Sequence, residues 1–583
     1  MKKAKQYFQL LLKTYKLFFK SAPALSIIVF VIAPIQALLT MLSIWASQRV
    51  IDSLAAKQNF WLDIELWIVA TILVQILPSV ATSMQGMLTD KLTGFLNLEL
   101  MKKSKKLNSL SIFDDADYFD VVTLLQEDAS WRPVNLIVFG ISVLQSLLTV
   151  VFALGYLARF NWLIAVALIA VMIPQSLLYY RIQQEAFETM VERSKNSRFL
   201  HYYSGLLLDR VDAKEVRLFN MFDSIINKYM KLFNSTHKMV NKVRQKQLAI
   251  SSLFLAVAAA VTGLGFVWFS TNVAKGNLPI GVLVVYISII GYISTSMARL
   301  VEDSSLLYDS LLWIKKYYKF MDYQDHFLLE NNSFPKDFQV LEVKNVSFTY
   351  PFSDVEVLHD VNFEVKRGEK IAVVGMNGSG KTTLVKLLMR YYDPTSGKIQ
   401  YDHSDLTKIA LQEYRDNISA TFQDFSKFKL TLAENVTAGK PVDRSRVKES
   451  LLKAGLSEAT IDQIGLDTIL SKDFKNGIDL SGGQWQKIAL ARDIYSQGNI
   501  EFLDEPTAAL DPVSEAEIYK NFIEHNKAKT IFFITHRLSA VKYADKVLLL
   551  SNGTVSGFDT HEELLKSNPE YQKMYQLQKE AYL

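Results

Sequence analysis

Six stretches in the first half of the chain contain no Asp, Glu, Lys or Arg. Each is near or above about 20 residues, the length at which an α-helix crosses the hydrocarbon core of a bilayer. One such stretch could be a buried helix of a soluble protein, but six in succession are not typical of a soluble fold. The sequence therefore predicts a membrane-spanning domain of six helices. The stretches are Ala22–Gln48, Leu66–Thr89, Val134–Ala158, Phe160–Tyr180, Gln247–Ala274 and Gly276–Ala298.

The residues around these stretches predict how the domain is oriented. Residues 1–20 carry several lysines and no acid, which predicts a cytoplasmic N-terminus by the positive-inside tendency. A signal peptide is not indicated, because the first apolar stretch is long enough to span and lacks a small-residue cleavage pattern. Spans three and four are separated by Arg159 and spans five and six by Lys275, so the two long, charged connections would be cytoplasmic. We expect a multi-pass protein of the cell membrane whose C-terminal domain is cytoplasmic.

The rest of the chain has the composition of a soluble α/β domain. A chain of 583 residues is too long for one ordinary core, and its apolar residues, 50% of the total, are concentrated before about Arg299. Residues 321–337 are polar and include Pro335, which is typical of a linker. We predict an all-α six-helix transmembrane domain over 1–320, then the linker, then an α/β domain over 338–583.

Composition also limits the available chemistry. The net charge of +5 is small for this length and the basic residues are scattered, so a nucleic-acid partner is not indicated. The chain has no cysteine, which excludes disulfides, thiolate metal sites and cysteine nucleophiles. The six stretches lack ionisable acids and bases, so a proton relay in the bilayer is not indicated. Their polar side chains could face an internal cavity or hydrogen-bond between helices.

The C-terminal domain contains a phosphate-binding loop. Residues Gly375-Met-Asn-Gly-Ser-Gly-Lys-Thr382 follow a strand-like run and precede a helix-like run. Glycines in this context let backbone N–H groups close around phosphate oxygens at a helix N-terminus, whose dipole favours an anion. Lys381 would contact the β- and γ-phosphates, and the Thr382 hydroxyl would bind Mg²⁺. The loop predicts a P-loop NTPase fold with ATP and Mg²⁺ as cofactors.

Two acids end a second predicted strand, Ile500–Glu505. Asp504 would be a second Mg²⁺ ligand, and Glu505 would act on the attacking water as a general base or a positioning group. A lone acidic pair at a strand end is usually just solvated, but the phosphate loop upstream favours the catalytic interpretation. Glu501, an acid within the same apolar strand, has no explanation of this kind.

A family resemblance rests on the sequence between these motifs. Leu480-Ser-Gly-Gly-Gln484 resembles the signature of ATP-binding-cassette (ABC) proteins. In the expected order, Gln423 resembles the Q-loop glutamine, Ala508–Asp511 the D-loop, His536 the switch histidine and Tyr350 the aromatic residue that stacks on adenine. Six spans followed by one cassette is the layout of half-size ABC exporters, so the chain is identified as a member of that family, with the type IV exporter fold.

The resemblance implies a transport ATPase that works as a dimer, in which ATP bound to one cassette is closed over by the signature of the other. Catalytic roles would belong to Glu505, His536 and Gln423, and Mg²⁺ would be bound by Thr382, Gln423 and Asp504. ATP would be bound by Tyr350, Gly375, Asn377, Gly378, Ser379, Gly380, Lys381, Thr382, Thr383, Ser481, Gly482, Gly483 and Gln484. A second copy of the chain is the simplest partner, because signature and catalytic acid are both present; a heterodimer is the alternative.

Two segments of the long connections are candidate coupling helices. Phe113–Val122 and Asp212–Phe219 each combine aromatic side chains with charges. From the pattern alone, either could be an ordinary amphipathic surface helix. The resemblance favours a coupling role.

The cargo is predicted from smaller likenesses. Gln423–Phe425 and Ser481–Gln486 look more like bacterial exporters of modified peptides and bacteriocins, whereas Asp473–Asp479 departs from the pattern of common multidrug and lipid exporters. We therefore expect an exporter of a peptide, of the modified or bacteriocin type, and more generally an amphipathic or peptide substrate. The alternatives are a multidrug or lipid exporter and, from another class, an ATP-regulated channel or an ATPase that does not pump.

Overall fold

The computed structural model divides the chain into two compact units. The first comprises Met1–Ser104 and Asp120–Tyr323, and the second comprises Lys105–Phe119 and Gln324–Leu583. The segment Lys105–Phe119 therefore belongs to the C-terminal unit, although it lies within the range 1–320 assigned above to the transmembrane domain. The structure describes residues 2–115, 118, 121–122, 125, 131–171, 174, 194–209, 212–324, 327, 330, 332–505, 528–535 and 538–581.

The first unit is built from long helices. Five of the described helices are long and apolar enough to cross a membrane, which makes this a multi-pass membrane protein. In chain order the helices are α1 Lys2–Ser21, α2 Pro23–Ala55, α3 Trp61–Ser104, α4 Arg132–Ala158, α5 Trp162–Val171, α6 Ser194–Leu208, α7 Ala213–Leu218, α8 Phe222–Ala274 and α9 Gly281–Met321.

Five of the predicted spans correspond to α2, α3, α4, α8 and α9, although the last helix begins at Gly281 and not at Gly276. The helices α3, α8 and α9 contain 44, 53 and 41 residues. At 1.5 Å per residue they are about 60–80 Å long, roughly twice the hydrocarbon thickness, so their charged ends continue outside the bilayer. The fourth predicted span is described only through α5, and its residues 172–173 and 175–180 lie outside the described residues.

Apolar side chains from α2, α4, α5, α8 and α9 form the core of this unit, including Ile44, Phe269 and Ile289. Polar contacts tie helix ends together. Asp52 at the end of α2 accepts a hydrogen bond from the backbone N–H of Gly281 at 2.7 Å, and this contact caps the start of α9.

The second unit contains two sheets. An antiparallel sheet has the strand order β2-β1-β4-β5, and a six-stranded sheet has the order β10-β9-β3-β8-β7-β6. The six-stranded sheet is parallel except for β10, which pairs antiparallel to β9. The strands are β1 Val340–Thr349, β2 Glu356–Lys366, β3 Lys370–Val374, β4 Ser396–Tyr401, β5 Ser404–Asp405, β6 Ile418–Thr421, β7 Ile500–Asp504, β8 Thr530–Ile534, β9 Lys546–Ser551 and β10 Thr554–Asp559.

Helices cover both faces of the parallel sheet. The strands β3 and β8 are buried at every position, as expected for central parallel strands. The described helices of this unit are α10 Lys381–Leu388, α11 Leu411–Asp416, α12 Leu432–Thr437, α13 Arg444–Lys453, α14 Glu458–Ile464, α15 Gly482–Ser496, α16 His561–Ser567 and α17 Pro569–Ala581. The carboxyl ends of β3, β6, β7 and β8 share one edge of the sheet, where a parallel α/β fold binds its ligands.

Candidate nucleotide-binding site

The phosphate loop joins β3 to α10, and glycine is required at two of its positions. Gly375 has φ of 152°, and a Cβ there would lie 2.2 Å from the carbonyl oxygen of Leu550. Gly380, the N-cap of α10, has φ of 98°, and a Cβ there would lie 2.6 Å from Leu358 Cδ2. Only glycine fits these backbone angles and close approaches. The resulting loop presents backbone N–H groups at a helix N-terminus, an arrangement that binds anions.

Lys381 lies inside this loop. Its Nζ donates to the carbonyl oxygens of Gly375 and Met376, each at 2.9 Å. Burial lowers the pKa of the Lys381 ammonium, and the carboxylates of Glu505 and Asp504 act against that change. The ammonium group is therefore held where phosphate oxygens would contact the loop.

A cavity of about 620 Å³ lies against the loop. Its volume is in the range of small-molecule and cofactor sites. The lining residues are Val357, Asn377, Gly378, Gly380, Lys381, Thr382, Thr383, Gln423, Glu505 and Ile534. The apolar residues Val357 and Ile534 were not predicted, because neither belongs to a motif. They reach the cavity from strands of different sheets, Val357 from β2 and Ile534 from β8.

The ends of β6 and β7 bring Gln423, Asp504 and Glu505 beside this cavity. The two strands pair in parallel, with Thr421 opposite Leu503, so the residues that follow them lie side by side. Gln423 Nε2 donates to Glu505 Oε2 at 2.9 Å, which turns the amide oxygen of Gln423 away from that carboxylate. Asp504 is the last residue of β7.

The electrostatics of this strand end suit a divalent cation. Burial raises the pKa of Asp504 to about 6, and the charges of Glu505 and Asp424 act in the same direction. Together with the Thr382 hydroxyl, these groups offer hard oxygen ligands of the kind that Mg²⁺ prefers. The described residues contain no group of three or more His, Cys, Asp or Glu able to hold a metal, so Mg²⁺ would depend on phosphate oxygens for further ligands.

Tyr350 lies just after β1 and is fixed by its neighbours. Its hydroxyl is 3.0 Å from Thr383 Oγ1, and its ring packs edge-on against Phe348 and Tyr392, with centroids 4.9 and 5.3 Å away. Tyr350 is not among the residues that line the 620 Å³ cavity.

The signature residues begin α15. Ser481 is the N-cap: its Oγ accepts from the backbone N–H of Gln484 at 3.3 Å, and Gln484 Oε1 accepts from the backbone N–H of Ser481 at 3.0 Å. This capping box fixes the start of the helix. None of Ser481, Gly482, Gly483 and Gln484 lines the cavity beside the phosphate loop. Of the other predicted residues, Ser379 is buried in the loop, whereas His536 and the D-loop lie outside the described residues.

The first coupling candidate contacts the cassette within the second unit. The candidate begins at Phe113, the last residue of a 3₁₀ turn, Leu110–Phe113, and the carboxylate of its Asp114 accepts a hydrogen bond from the Tyr392 hydroxyl at 2.7 Å. The backbone N–H of Leu110 donates to the carbonyl of Tyr391 at 3.2 Å. Tyr392 was not predicted, and its only sequence signal is a pair of tyrosines just after α10. The second candidate forms α7, with Leu218 and Phe219 exposed.

The helical unit has a cavity of its own, about 530 Å³, between α5, α8 and α9. The Tyr286 hydroxyl donates to the carbonyl of Thr262 at 2.7 Å beside it. Its other lining residues are mainly apolar. They are Leu168, Val171, Leu255, Ala258, Ala259, Gly263, Phe266, Ile287, Ile290 and Ser294.

Comparisons with known proteins agree with the cassette and extend to nearly the whole chain. Residues 358–508 match the family model described as ABC transporter. The nisin transport ATP-binding protein NisT of Lactococcus lactis subsp. lactis is 30% identical over 98% of this chain and 97% of its own length. The subtilin transport ATP-binding protein SpaT of Bacillus subtilis is 30% identical over 96% of this chain and 93% of its own.

A solved structure supports the fold. A bacterial Atm1-family ABC exporter with ATP bound superposes with a TM-score of 0.74, covering 95% of this chain and 98% of that one, at 21% identity. Both the helical unit and the cassette are therefore parts of one known architecture. The chain belongs to the ABC transporter family, as an exporter half-transporter that carries a permease and an ATP-binding ATPase cassette.

Proposed function

We propose that the protein is a homodimeric exporter that uses hydrolysis of MgATP to move a peptide, of the modified or bacteriocin type, across the cell membrane. The half-transporter fold implies a dimer. The observation that carries the peptide assignment is similarity over nearly the full length, permease included, to two proteins named for transport of nisin and subtilin. In contrast, the match to the putative multidrug export protein YgaD of Bacillus subtilis strain 168 covers 52% of this chain.

The cavity of the helical unit is compatible with such a cargo. Among the described residues, its lining carries no acidic or basic side chain, and Thr262, Tyr286 and Ser294 supply its few polar groups. A pocket of this kind accepts apolar side chains and neutral polar groups more readily than isolated charges. It suits an amphipathic peptide, whose charged parts would remain in water.

The phosphate loop would hold the nucleotide. Backbone N–H groups of Gly375, Asn377, Gly378, Ser379 and Gly380 would surround the phosphates, and Lys381 would exchange its two backbone carbonyl partners for phosphate oxygens. The Thr383 hydroxyl is hydrogen-bonded to the hydroxyl of Tyr350, whose ring would stack on the adenine. These contacts bind ATP but do not activate water.

The strand ends would supply the chemistry. Thr382, Asp504 and the amide oxygen of Gln423 would hold Mg²⁺, which would offset the negative charge of the phosphates. Glu505, oriented by the 2.9 Å hydrogen bond from Gln423, would take a proton from the attacking water or position it in line with the γ-phosphate. His536 would hold the γ-phosphate and the water in register.

A complete ATP site would need two chains. Since Ser481, Gly482, Gly483 and Gln484 do not line the cavity of their own chain, the signature of one copy would close over the ATP of the other. Ser481 and Gly483 would contact the γ-phosphate there, with the N-terminus of α15 favouring its charge. Hydrolysis would then depend on dimer closure.

Through the contact between Asp114 and Tyr392, closure of the two cassettes would be transmitted toward the membrane domain. Tyr392 touches Asp114 through its hydroxyl and Tyr350 through its ring, so one side chain contacts both a coupling segment and the proposed adenine platform. The lysine-rich residues 1–20 favour a cytoplasmic N-terminus, and therefore a cytoplasmic cassette. Both features fit export driven from the cytoplasm.

The test is the ATPase rate of the purified protein in lipid nanodiscs against a panel of peptides, drugs and lipids. The panel should include nisin and subtilin. Selective stimulation by a peptide is the expected result. If many unrelated amphiphiles stimulate hydrolysis while the peptides are inert, the multidrug or lipid alternative replaces the peptide proposal.

A further inference from the structure

Two buried acids lie behind the catalytic strand. Glu501 on β7 is 0% exposed and Asp493 on α15 is 1% exposed. The Thr421 hydroxyl on β6 donates to Asp493 Oδ2 at 3.3 Å. Buried charges require pairing, because low-dielectric surroundings penalise them strongly. The groups around Glu501 must therefore neutralise its charge or supply its hydrogen bonds.

The pKa of each acid responds to the carboxyl group of the other nearby, and Asp493 Oδ1, like both oxygens of Glu501, has no partner of standard hydrogen-bond geometry among the described residues. Among the described residues, no protein group donates a hydrogen bond to either oxygen of Glu501. Two ionised carboxylates have no proton to share and would repel, whereas a carboxylic acid donates to a carboxylate. One proton held by the pair therefore satisfies both side chains.

The charges around the pair agree with one shared proton. Lys529, just before β8, has its Nζ 3.7 Å from Glu501 Oε1 and can balance a single negative charge. Lys370 on β3 also interacts with Glu501, but Asp545 acts on the same lysine. Burial raises the pKa of both acids, and the charge of Asp493 raises that of Glu501 further.

The pair connects the elements that carry the ATPase machinery. Asp493 lies on α15, which begins at the signature; Glu501 lies on β7, which ends at Asp504 and leads to Glu505. From this placement, we infer that Asp493 and Glu501 share one proton and act as a positioning pair that fixes the signature helix α15 against the catalytic strand β7. This inference rests on the proposed roles of Ser481 and Glu505 in one composite ATP site.

A small movement of α15 at the pair would be amplified at Ser481. Asp493 lies twelve residues along α15 from Ser481, about 18 Å at 1.5 Å per residue. A tilt of α15 by about 3° at the pair would move the signature by about 1 Å, a displacement that can cost about 100-fold in rate. Loss of the pair should therefore lower the turnover number more than the affinity for ATP.

Infrared spectroscopy of the full chain in nanodiscs at pH 8 tests the shared proton. A protonated carboxyl absorbs apart from ionised carboxylates, and Asp504, with a pKa of about 6, is ionised at that pH. The wild type should show a protonated-carboxyl band that Glu501→Gln lacks. An identical spectrum in the two proteins would overturn the inference.

Kinetics test the positioning role. Glu501→Ala should lower kcat for ATP hydrolysis by about tenfold or more with KM for ATP changed less than about threefold, because the phosphate loop is untouched. Glu501→Gln, whose amide can still donate to Asp493, should stay within about threefold of wild type. Normal turnover in Glu501→Ala, or equal losses in both variants, would contradict the positioning role.

Matched variants keep the result interpretable. Glu364→Ala and Glu364→Gln, on an exposed position of β2, should change neither the spectrum nor kcat. If Glu501→Ala fails to assemble, the bulkier Glu501→Leu takes its place, with the same expected loss of kcat. Failure of the proposed role of Glu505 would show as normal turnover in Glu505→Gln, whereas failure of this inference would show as an unchanged infrared band.

Discussion

The two units of the chain differ in the polar side chains that line their cavities. In the cassette, Lys381, Gln423 and Glu505 converge on one cavity. In the helical unit, the hydroxyls of Thr40 and Thr149 donate to backbone carbonyls of their own helices, and the cavity lining is mainly apolar. Converging polar groups specify a reaction, whereas an apolar cavity accepts many ligands of similar size. The chemistry of this exporter is therefore easier to infer than its cargo.

The largest expected effect tests the cassette. Glu505→Gln should lower ATP hydrolysis by roughly 100-fold or more while ATP binding is retained, because the group that acts on water is lost and the phosphate loop is not. Steady-state hydrolysis and nucleotide binding, measured on the same preparation, check this. Turnover close to wild type would remove Glu505 from the catalytic role.

A pH series tests the same strand end. Asp504 must be ionised to bind Mg²⁺ and its pKa is about 6, so Mg²⁺-dependent activity should be present above that pH. Below it, the Mg²⁺ concentration needed for half-maximal ATPase should rise by about tenfold per pH unit as the carboxylate becomes protonated. ATP itself titrates nearby, so the quantity to follow is the ratio of wild type to Asp504→Asn. A ratio that is constant from pH 5 to 8 would contradict the ligand role.

A smaller effect is expected where the candidate coupling segment contacts the cassette. Tyr392→Phe removes the 2.7 Å hydrogen bond to Asp114, a loss of about 1 kcal/mol, or about fivefold. Cargo-stimulated hydrolysis should fall by up to that factor, with a smaller change in basal hydrolysis. The control is Tyr391→Phe, which keeps the backbone carbonyl that contacts Leu110. If cargo stimulates hydrolysis equally in the wild type, Tyr392→Phe and Tyr391→Phe, the contact between Tyr392 and Asp114 does not couple cargo binding to hydrolysis.

The smallest effect is expected in the helical unit. Tyr286→Phe deletes the hydrogen bond to the Thr262 carbonyl and should shift the half-maximal stimulating concentration of cargo by up to about fivefold, leaving basal hydrolysis unchanged. Tyr292→Phe, on the same helix but outside the cavity lining, is the control. Identical cargo curves for both variants would indicate that this cavity is not where cargo binds.

Much of the fold follows from local sequence patterns. Charge-free length predicted the spans that lie in α2, α3, α4, α8 and α9, because an apolar surface of that length requires a bilayer. Motif order indicated a transporter of the ABC family, which the comparisons confirm. The phosphate loop was recognisable because its glycines, lysine and threonine are consecutive, so one local conformation brings them together.

The remaining features depend on contacts between distant parts of the chain. Tyr392 contacts Asp114 across 278 residues of sequence, so the pair could not be predicted, although Asp114 lies in the candidate coupling segment Phe113–Val122. The surroundings of Glu501 likewise depend on how other elements pack around β7, because Asp493 lies on α15 and Lys529 lies just before β8. The cargo is still harder to predict, because the apolar residues that line the cavity do not specify one class of ligand.

The most direct measurement is ATP-dependent uptake of a labelled peptide, chosen from the nanodisc screen, by inside-out membrane vesicles containing the full chain. Accumulation against a gradient in the wild type, and none with Glu505→Gln, is the expected result. Peptide-stimulated hydrolysis without accumulation would contradict export and indicate an ATPase that does not pump or an ATP-regulated channel.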